Sequence, residues 1–241
     1  MLVHTLPPLV GATVLCVPSV HSQDPYATDI ELDDGRISVC HTPGLLCGAD
    51  IGVGSRIYVS ENDDASTTTE WTAQISEDGD AMVGIHPVVS HQAIYTLLNR
   101  IHPDAEWACD VTVKNCTIDY VGYLPTKKKV YLQVTSILTP PNDGRIVFPE
   151  VPVSRATVQT DVLQSLVGRY DTHSCHILFI VPRADCTSLL INSKDRVYQS
   201  KLLGAVEKGV RLHTFVLEYD PEGDIHFKQT IRVKFNLLSS R

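Results

Sequence analysis

Hydrophobic and polar residues alternate with a period of two through the centre of the chain. The clearest case is the segment 130–138, whose β-branched and aromatic residues predict a strand. A second strand is predicted over 116–120 and includes Asp119, and a helix is predicted from about Arg155. These three elements predict two neighbouring strands that carry polar side chains, with a helix behind them.

The residues before about Ile85 have a different pattern, made of short strands separated by turn sequences. Strands are predicted over 12–17, 27–32, 37–40, 56–60 and 70–75, with polar or glycine-containing turns at 33–36 and 77–80. The glycine-rich segment 40–54 and the polar segment 61–69 are predicted loops. Short strands at this spacing are typical of a small closed barrel such as the OB-fold.

From Val88 onward helical periodicity alternates with strands. Apolar residues at helical spacing predict a helix over about 88–101, and Pro103 follows it. Later helices are predicted over 155–167, before Gly168, and over 194–208, with strands at 177–181, 210–218 and, on a sheet edge, 227–235. We therefore predict an OB-like barrel over 1–86 and an α/β domain over 87–241, joined by the helix at 88–101.

Composition narrows the classes of function. The 241 residues carry a net charge of −8, which argues against a broad surface that binds a phosphate backbone. The net charge does not exclude a local basic groove. The longest apolar run is shorter than a membrane span. The seven cysteines form no CxxC pair, and the uncharged N-terminus has no basic region typical of a secretory signal. We expect an intracellular protein with reduced thiols; import into an organelle such as the mitochondrial matrix stays open.

Several short segments of this sequence, in their order along the chain, resemble the bacterial sugar fermentation stimulation protein A family. The resemblance begins at Leu6-Pro7-Pro8-Leu9, continues through Ile118-Asp119-Tyr120 and residues 130–136, and ends at Lys208-Gly209-Val210. It also includes Phe148-Pro149-Glu150 and Arg155. The resemblance implies an OB-fold followed by a restriction-endonuclease-like domain of the PD-(D/E)xK type, in a family described as DNA-binding.

The nuclease site implied by this resemblance is altered. Such a site has an acid on the first strand and Glu-x-Lys on the second, so that carboxylates hold a divalent metal and the lysine orients water. Asp119 and Asp110 are the candidate carboxylates, whereas Gln133 and Thr135 occupy the Glu and Lys positions. We expect a degenerate site with no catalytic residue, metal or cofactor, in which Gln133 and Thr135 hydrogen-bond each other and Asp119. Weak magnesium binding is the alternative.

One basic run remains as a candidate for nucleic-acid contact. Lys127, Lys128 and Lys129 fall in a predicted hairpin turn before the central strand, where they can contact phosphate or form a solvated turn. His86 and His91 flank the predicted domain boundary, and a capping or structural role is expected for both.

The leading hypothesis is a catalytically inactive protein that serves as a structural subunit with protein partners in a larger assembly. A ribonucleoprotein such as a mitochondrial ribosome is one example, by analogy only. The alternatives are a module that binds RNA or DNA without cutting it, and a nuclease in which Glu150 or a distant lysine replaces the lost groups.

Overall fold

A computed structural model of the protein describes residues 1–43, 51–62, 68–167 and 172–236. The predicted loops at 40–54 and 61–69 lie partly outside the described residues, and Gly168 lies outside them. The helices are α1 (Pro87–Ile101), α2 (Ser154–Leu166) and α3 (Arg196–Glu207). The strands are β1 (Leu2–Thr5), β2 (Leu9–Cys16), β3 (Ala27–Leu32), β4 (Ile37–His41), β5 (Arg56–Glu61), β6 (Trp71–Asp78), β7 (Ala81–Gly84), β8 (Glu106–Val113), β9 (Cys116–Tyr123), β10 (Lys129–Ser136), β11 (Arg145–Phe148), β12 (His173–Val181), β13 (Ser188–Ile191), β14 (Arg211–Tyr219), β15 (Asp224–Thr230) and β16 (Arg232–Phe235).

Strands β2 to β6 form the predicted barrel. Their order is β4-β3-β2-β5-β6, and a short parallel pairing of β4 with β6 at Cys40 and Trp71 closes the ring. Apolar side chains of alternating positions, among them Ile30, Ile57 and Val59, are fully buried in the barrel core. The barrel is closed and OB-like, as the strand spacing predicted, and β7 extends β6 as a hairpin.

The second domain is built on a seven-stranded mixed sheet of order β1-β15-β14-β12-β10-β9-β8. Its centre is parallel, because β12 pairs in parallel with both β10 and β14. Apolar residues of α1 pack with Leu132 and Leu178 on one face, and those of α2 and α3 pack with Ile177 and Phe179 on the other. Strands β11, β13 and β16 form a separate parallel sheet beside it.

The first strand differs from the prediction that residues 1–86 belong to the barrel. Strand β1 pairs antiparallel with β15 in the second sheet, and Val3 and Leu6 are buried in the same core as Ile225. Only four residues form β1, so its alternation is too short to indicate a strand, and its sheet is set by a partner more than 200 residues away.

The C-terminal strand also differs from the prediction of one edge strand over 227–235. Strand β15 ends at Thr230 and β16 begins at Arg232, and the two lie in different sheets. The alternating pattern continues through the break at Ile231, so it cannot reveal the change of sheet. Because β1 pairs with its outer side, β15 is not an edge strand.

The two domains are joined by more than the linking helix. Ile75 of β6 is buried in the core that contains Ile94 of α1, and the Gly84 backbone lies against the Tyr219 ring. The Arg183 guanidinium is buried and forms ion pairs with Asp78 of the barrel, at 2.8 Å, and Asp185, at 2.7 Å. Among the described residues, each helix is too short or too polar to cross a bilayer.

Candidate degenerate nuclease site

The register of β9 and β10 brings the predicted site residues together. Tyr120 pairs with Leu132, so the next antiparallel step places Asp119 opposite Gln133. The Asp119 Oδ2 atom accepts a hydrogen bond from the Val134 amide, at 2.6 Å, and a second from Gln133 Nε2. The hydrogen bond expected between Gln133 and Asp119 is therefore present, and Asp119 is almost fully buried. The hydrogen bonds expected from Thr135 to Gln133 and Asp119 are not formed, because Gln133 Nε2 is directed to Asp119 and the Val134 carbonyl instead.

Asp110 lies across from Asp119 on the other side of β9. Cys109 pairs with Tyr120 and Val111 with Ile118, so Asp110 occupies the intervening position opposite Asp119. Its φ of 52° lies in the left-handed region, which aspartate tolerates better than most residues. Asp110 is exposed where Asp119 is buried, and both carboxylates line the same open cleft.

Two side chains from the helices complete the cleft. Arg155, in the first turn of α2, places Nη2 3.8 Å from Asp119 Oδ1, and its guanidinium is largely exposed. The start of α2 is fixed by Asp195, whose carboxylate accepts from the Val153 amide at 3.0 Å and also caps α3. His91 of α1 lines the cleft from the opposite face.

Burial dominates the electrostatics of the cleft. It raises the pKa of the Asp119 carboxyl, against the lowering effects of the Val134 amide, His91 and Arg155. Burial also lowers the pKa of His91, although the neighbouring carboxylates of Asp119 and Asp110 act in the opposite direction. Both pKa shifts disfavour the charged forms. Ionised Asp119 and protonated His91 are therefore each destabilised by the desolvation that burial causes.

Two buried oxygens of the cleft have no hydrogen-bond partner among the described residues. They are Gln133 Oε1 and Ser136 Oγ, both on β10. Thr135 is half-buried and lines the same cleft, between these two residues. Unpaired polar atoms in a fold usually have a structural or functional reason.

The lysine run lies at the other end of the same strands. Lys127 and Lys128 are exposed in the β9–β10 turn, and the Lys129 ammonium lies 5.1 Å from the centre of the Tyr123 ring. Lys129 is four positions along β10 from Gln133, which corresponds to about 13 Å. The structure therefore places the lysines in the predicted turn but not beside Asp119.

His91 and Arg155 are the cleft residues that were not among the predicted site residues. Arg155 is one of the positions at which the sequence resembles the family, and this match was the one indication that it belongs to the site. His91 was expected to be structural, as was His86, which is the N-cap residue of α1 but forms no side-chain cap. Glu150, the alternative acid, is exposed and is not among the residues that line the cleft.

A comparison with protein families identifies the lineage. The model described as "Sugar fermentation stimulation protein RE domain" matches residues 86–223. The chain belongs to this family. The matched range begins at the N-cap of α1 and contains the candidate site residues Asp110, Asp119 and Gln133.

Curated relatives and one solved structure extend the family match over the barrel. A sugar fermentation stimulation protein homolog of Caulobacter vibrioides is 25% identical over 208 residues, covering 80% of this chain and 83% of its own. A homolog of Rippkaea orientalis is 27% identical over 222 residues, covering 84% and 86%. Pyrococcus furiosus SfsA, solved in complex with Ca2+, superimposes with a TM-score of 0.81 at 16% identity, covering 97% and 99%. The SfsA fold thus spans the barrel as well as the second domain.

Proposed function

We propose that this chain is a non-cleaving member of the SfsA family whose folded surface serves as an interaction subunit of a larger assembly. The observation that carries the proposal is the state of Asp119. One carboxylate oxygen is engaged by Gln133 and the Val134 amide, and the other faces Arg155. The carboxylate that would hold a metal in a nuclease is therefore already engaged by groups of the protein.

The residues present do not fit a divalent metal centre. The related Pyrococcus furiosus protein was solved with Ca2+, and calcium takes six to eight oxygen ligands, several of them carboxylates. In the described part of this chain, no group of three or more His, Cys, Asp or Glu side chains is arranged to hold a metal ion. Asp110 and Asp119 supply only two carboxylates, the second is already hydrogen-bonded to Gln133 and the Val134 amide, and Arg155 opposes a further cation.

The loss of the lysine removes the second requirement for hydrolysis. Metal-assisted cleavage needs a group that orients or activates the attacking water. Thr135 occupies the lysine position and has no ionisable group at neutral pH. Lys129, the nearest of the three lysines, is six positions from Thr135 along β10, or about 20 Å, and cannot take its place.

A nuclease assay with a reversal variant tests the non-cleaving state. The chain is incubated with single- and double-stranded DNA and RNA in Mg2+ or Mn2+, beside Asp119→Asn. We expect no cleavage above the level of Asp119→Asn. The double variant Gln133→Glu, Thr135→Lys restores Glu-x-Lys on one face of β10, and we expect it to gain a thermal stabilisation by Mn2+ that the wild-type chain lacks.

Two outcomes would contradict this proposal. One is cleavage by the wild-type chain that Asp119→Asn abolishes. The other is a rise in melting temperature of the wild-type chain in millimolar Mn2+ that Asp119→Asn removes. A matched variant, Asp161→Asn on the exposed side of α2, controls for the loss of one negative charge.

The interaction role has its own support and its own test. A family fold kept over nearly the whole chain while its site chemistry is altered is expected when partners use the surface. Purification of the native complex, followed by sedimentation with and without ribonuclease, distinguishes a protein assembly from a ribonucleoprotein such as the mitochondrial ribosome. Sedimentation of the chain as a free monomer in its own cell extract would contradict an interaction role.

A non-cleaving nucleic-acid-binding module is the second candidate, favoured by the exposed lysines of the β9–β10 turn. Binding through them would weaken steeply as salt rises, because phosphate contacts release counterions. Labelled oligonucleotides titrated at two salt concentrations test this. Binding that Lys127→Gln together with Lys128→Gln weakens would favour this candidate, and binding insensitive to both changes would exclude these lysines.

A further inference from the structure

A second cavity lies on the face of the main sheet opposite Gln133, at the other end of the parallel strands. Helix α1 ends at Ile101, before Pro103, and leaves the first residues of β10, β12 and β14 uncovered. Leu132, the neighbour of Gln133, points into this cavity because successive strand residues face opposite sides. The cavity has a volume of about 310 Å³ and shares no lining residue with the Asp119 cleft.

Most of the cavity wall is apolar. Leu98 and Ile101 come from the last turn of α1, Trp107 from β8, and Leu178 and Phe215 from the central strands. Pockets for small molecules are typically of this size or larger, with apolar walls and a few convergent polar groups. An apolar body the size of one or two fused rings therefore fits the walls.

The polar groups of the wall favour negative charge. Arg211 lies at the exposed rim, and three imidazoles, His102, His176 and His213, complete the set of lining groups that can be positive. None of the described residues that line the cavity is acidic. The remaining contributions from β8, the β9–β10 turn and β10 are Trp107, Leu124, Val130 and Leu132, which do not titrate in the neutral range. A chain of net charge −8 thus has a local site of the opposite sign.

His176 and His213 form a hydrogen-bonded pair inside this wall. His176 Nδ1 lies 2.9 Å from His213 Nε2, and the rings stack at 21°. In either neutral tautomer one of the two outer nitrogens carries a proton and the other is bare. Protonation of the bare nitrogen would make both outer nitrogens donors, so an anion in the cavity would gain a charge-assisted hydrogen bond.

We propose that this cavity binds a compact apolar molecule, with one or two rings, that carries a single anionic group. The rings contact the leucine and aromatic wall, and the anionic group lies between Arg211 and the histidine pair. This site is independent of the proposed non-cleaving role, because it lies on the other face of the sheet.

The site also implies a direction for pH dependence. Burial, the His213 ring, Arg211 and His102 hold the pKa of His176 at about 4, and burial with Arg211 lowers that of His213. A bound anion favours the protonated imidazoles and raises these pKa values. Binding therefore takes up protons, and affinity rises as the pH falls from neutrality towards about 4.

Naphthalene-2-sulfonate and its neutral analogue naphthalene-2-sulfonamide are suitable probes, because they match in size and the sulfonate stays charged across this pH range. Binding is measured by titration calorimetry and ligand-observed NMR. At pH 7.5 we expect the sulfonate to bind at least about fivefold more tightly than the sulfonamide, which corresponds to roughly 1 kcal/mol. At pH 5 we expect the preference to grow about threefold further.

Three variants locate the binding. Arg211→Met should weaken the sulfonate at least fivefold and leave the sulfonamide unchanged, whereas Arg196→Met, on exposed α3, should change neither. His176→Gln removes the histidine pair and should reduce the growth of the preference at pH 5, although His213 and His102 remain in the wall. Ser174→Leu enlarges a lining side chain and should weaken both probes; if it does not fold by circular dichroism, Leu98→Phe serves the same purpose.

Equal affinity of the two probes would overturn the proposal. So would equal losses in Arg211→Met and Arg196→Met, binding that the cavity-filling variant leaves intact, or no binding of the sulfonate at millimolar concentration. These outcomes do not depend on nuclease activity, so they separate failure of this site from failure of the proposed function.

Discussion

At the scale of single residues, the buried Asp119 carboxylate is contacted by Gln133 of the neighbouring strand and by Arg155 of α2. The hydrogen bond between Asp119 and Gln133 was expected because the family resemblance places both residues in one site, and the register of β9 and β10 brings them opposite each other. The contact between Asp119 and Arg155, at 3.8 Å, depends on how α2 docks on the sheet. His91 reaches the cleft only because α1 packs on β10. Docking of this kind leaves no local pattern in the sequence.

Asp119→Asn is expected to stabilise the protein at neutral pH. The folded pKa of Asp119 is raised by burial above its unfolded value of about 3.9, so the folded state binds the proton more tightly. The carboxylate therefore lowers stability as pH rises from about 4, and it has no effect below that pH. Asparagine keeps an oxygen to accept from the Val134 amide.

Thermal melts of this variant at two pH values check the expectation. At pH 7.5 we expect a melting temperature about 2–4 °C above wild type, which is the effect of ~1 kcal/mol in a chain of this size. At pH 4 the difference should disappear. Asp161→Asn, which removes a partly exposed pair with Lys201, should differ from wild type by less than this at either pH. A variant that melts several degrees lower at pH 7.5 would identify Asp119 as a stabilising anion instead.

At the scale of elements, the length of a helix or strand decided whether the hydrophobic pattern could predict it. The helix expected at 88–101 is α1 (Pro87–Ile101), and the strand expected at 130–138 is β10 (Lys129–Ser136). The strands β1, β7, β11 and β13 have four residues each and were not predicted. Four residues contain too few alternations to separate a strand from a loop. Long-range pairing holds β1, β11 and β13 in place, whereas β7 is held by a hairpin with β6.

Strand β7 supports a testable contact between the barrel and the main sheet. A Cβ atom at Gly84 would clash with Cζ of the Tyr219 ring, and that ring is buried beside Ser90. We expect Gly84→Ala to destabilise the protein by about 1–3 kcal/mol, because overpacking forces the ring or the strand to move. Denaturant unfolding measures this free energy.

Gly52→Ala is the matched control for that change. A Cβ atom at Gly52 meets nothing within 4 Å, and its φ lies outside the left-handed region. We expect this substitution to change the free energy of unfolding by less than about 0.5 kcal/mol. Similar losses in the two variants would mean that loss of glycine, and not the Tyr219 contact, causes the effect.

At the scale of the whole molecule, the predicted division at residue 86 separates two sheets that share their packing. Strand β1 precedes the barrel in sequence but adds to the second sheet, so the chain enters the second domain twice. Ile75 of the barrel is buried with α1, and Arg183 of the second domain binds Asp78 of the barrel. Local sequence patterns predicted the barrel and the α/β domain separately. The core that the two domains share forms only when they pack together, so no local pattern indicates it.

This shared packing predicts that barrel and α/β domain unfold together. The two tryptophans report on them separately, because Trp71 is buried in the barrel core and Trp107 in the core beneath α1. In Trp71→Phe, the fluorescence of Trp107 should melt at the same temperature as the far-ultraviolet circular dichroism of the whole chain. In Trp107→Phe, the fluorescence of Trp71 should do the same, since coincident probes indicate one transition. Adding Arg183→Met to each variant should separate the two signals, because it removes the ion pair across the junction. Separate transitions in the single-tryptophan variants with Arg183 intact would mean that each domain is stable without the other.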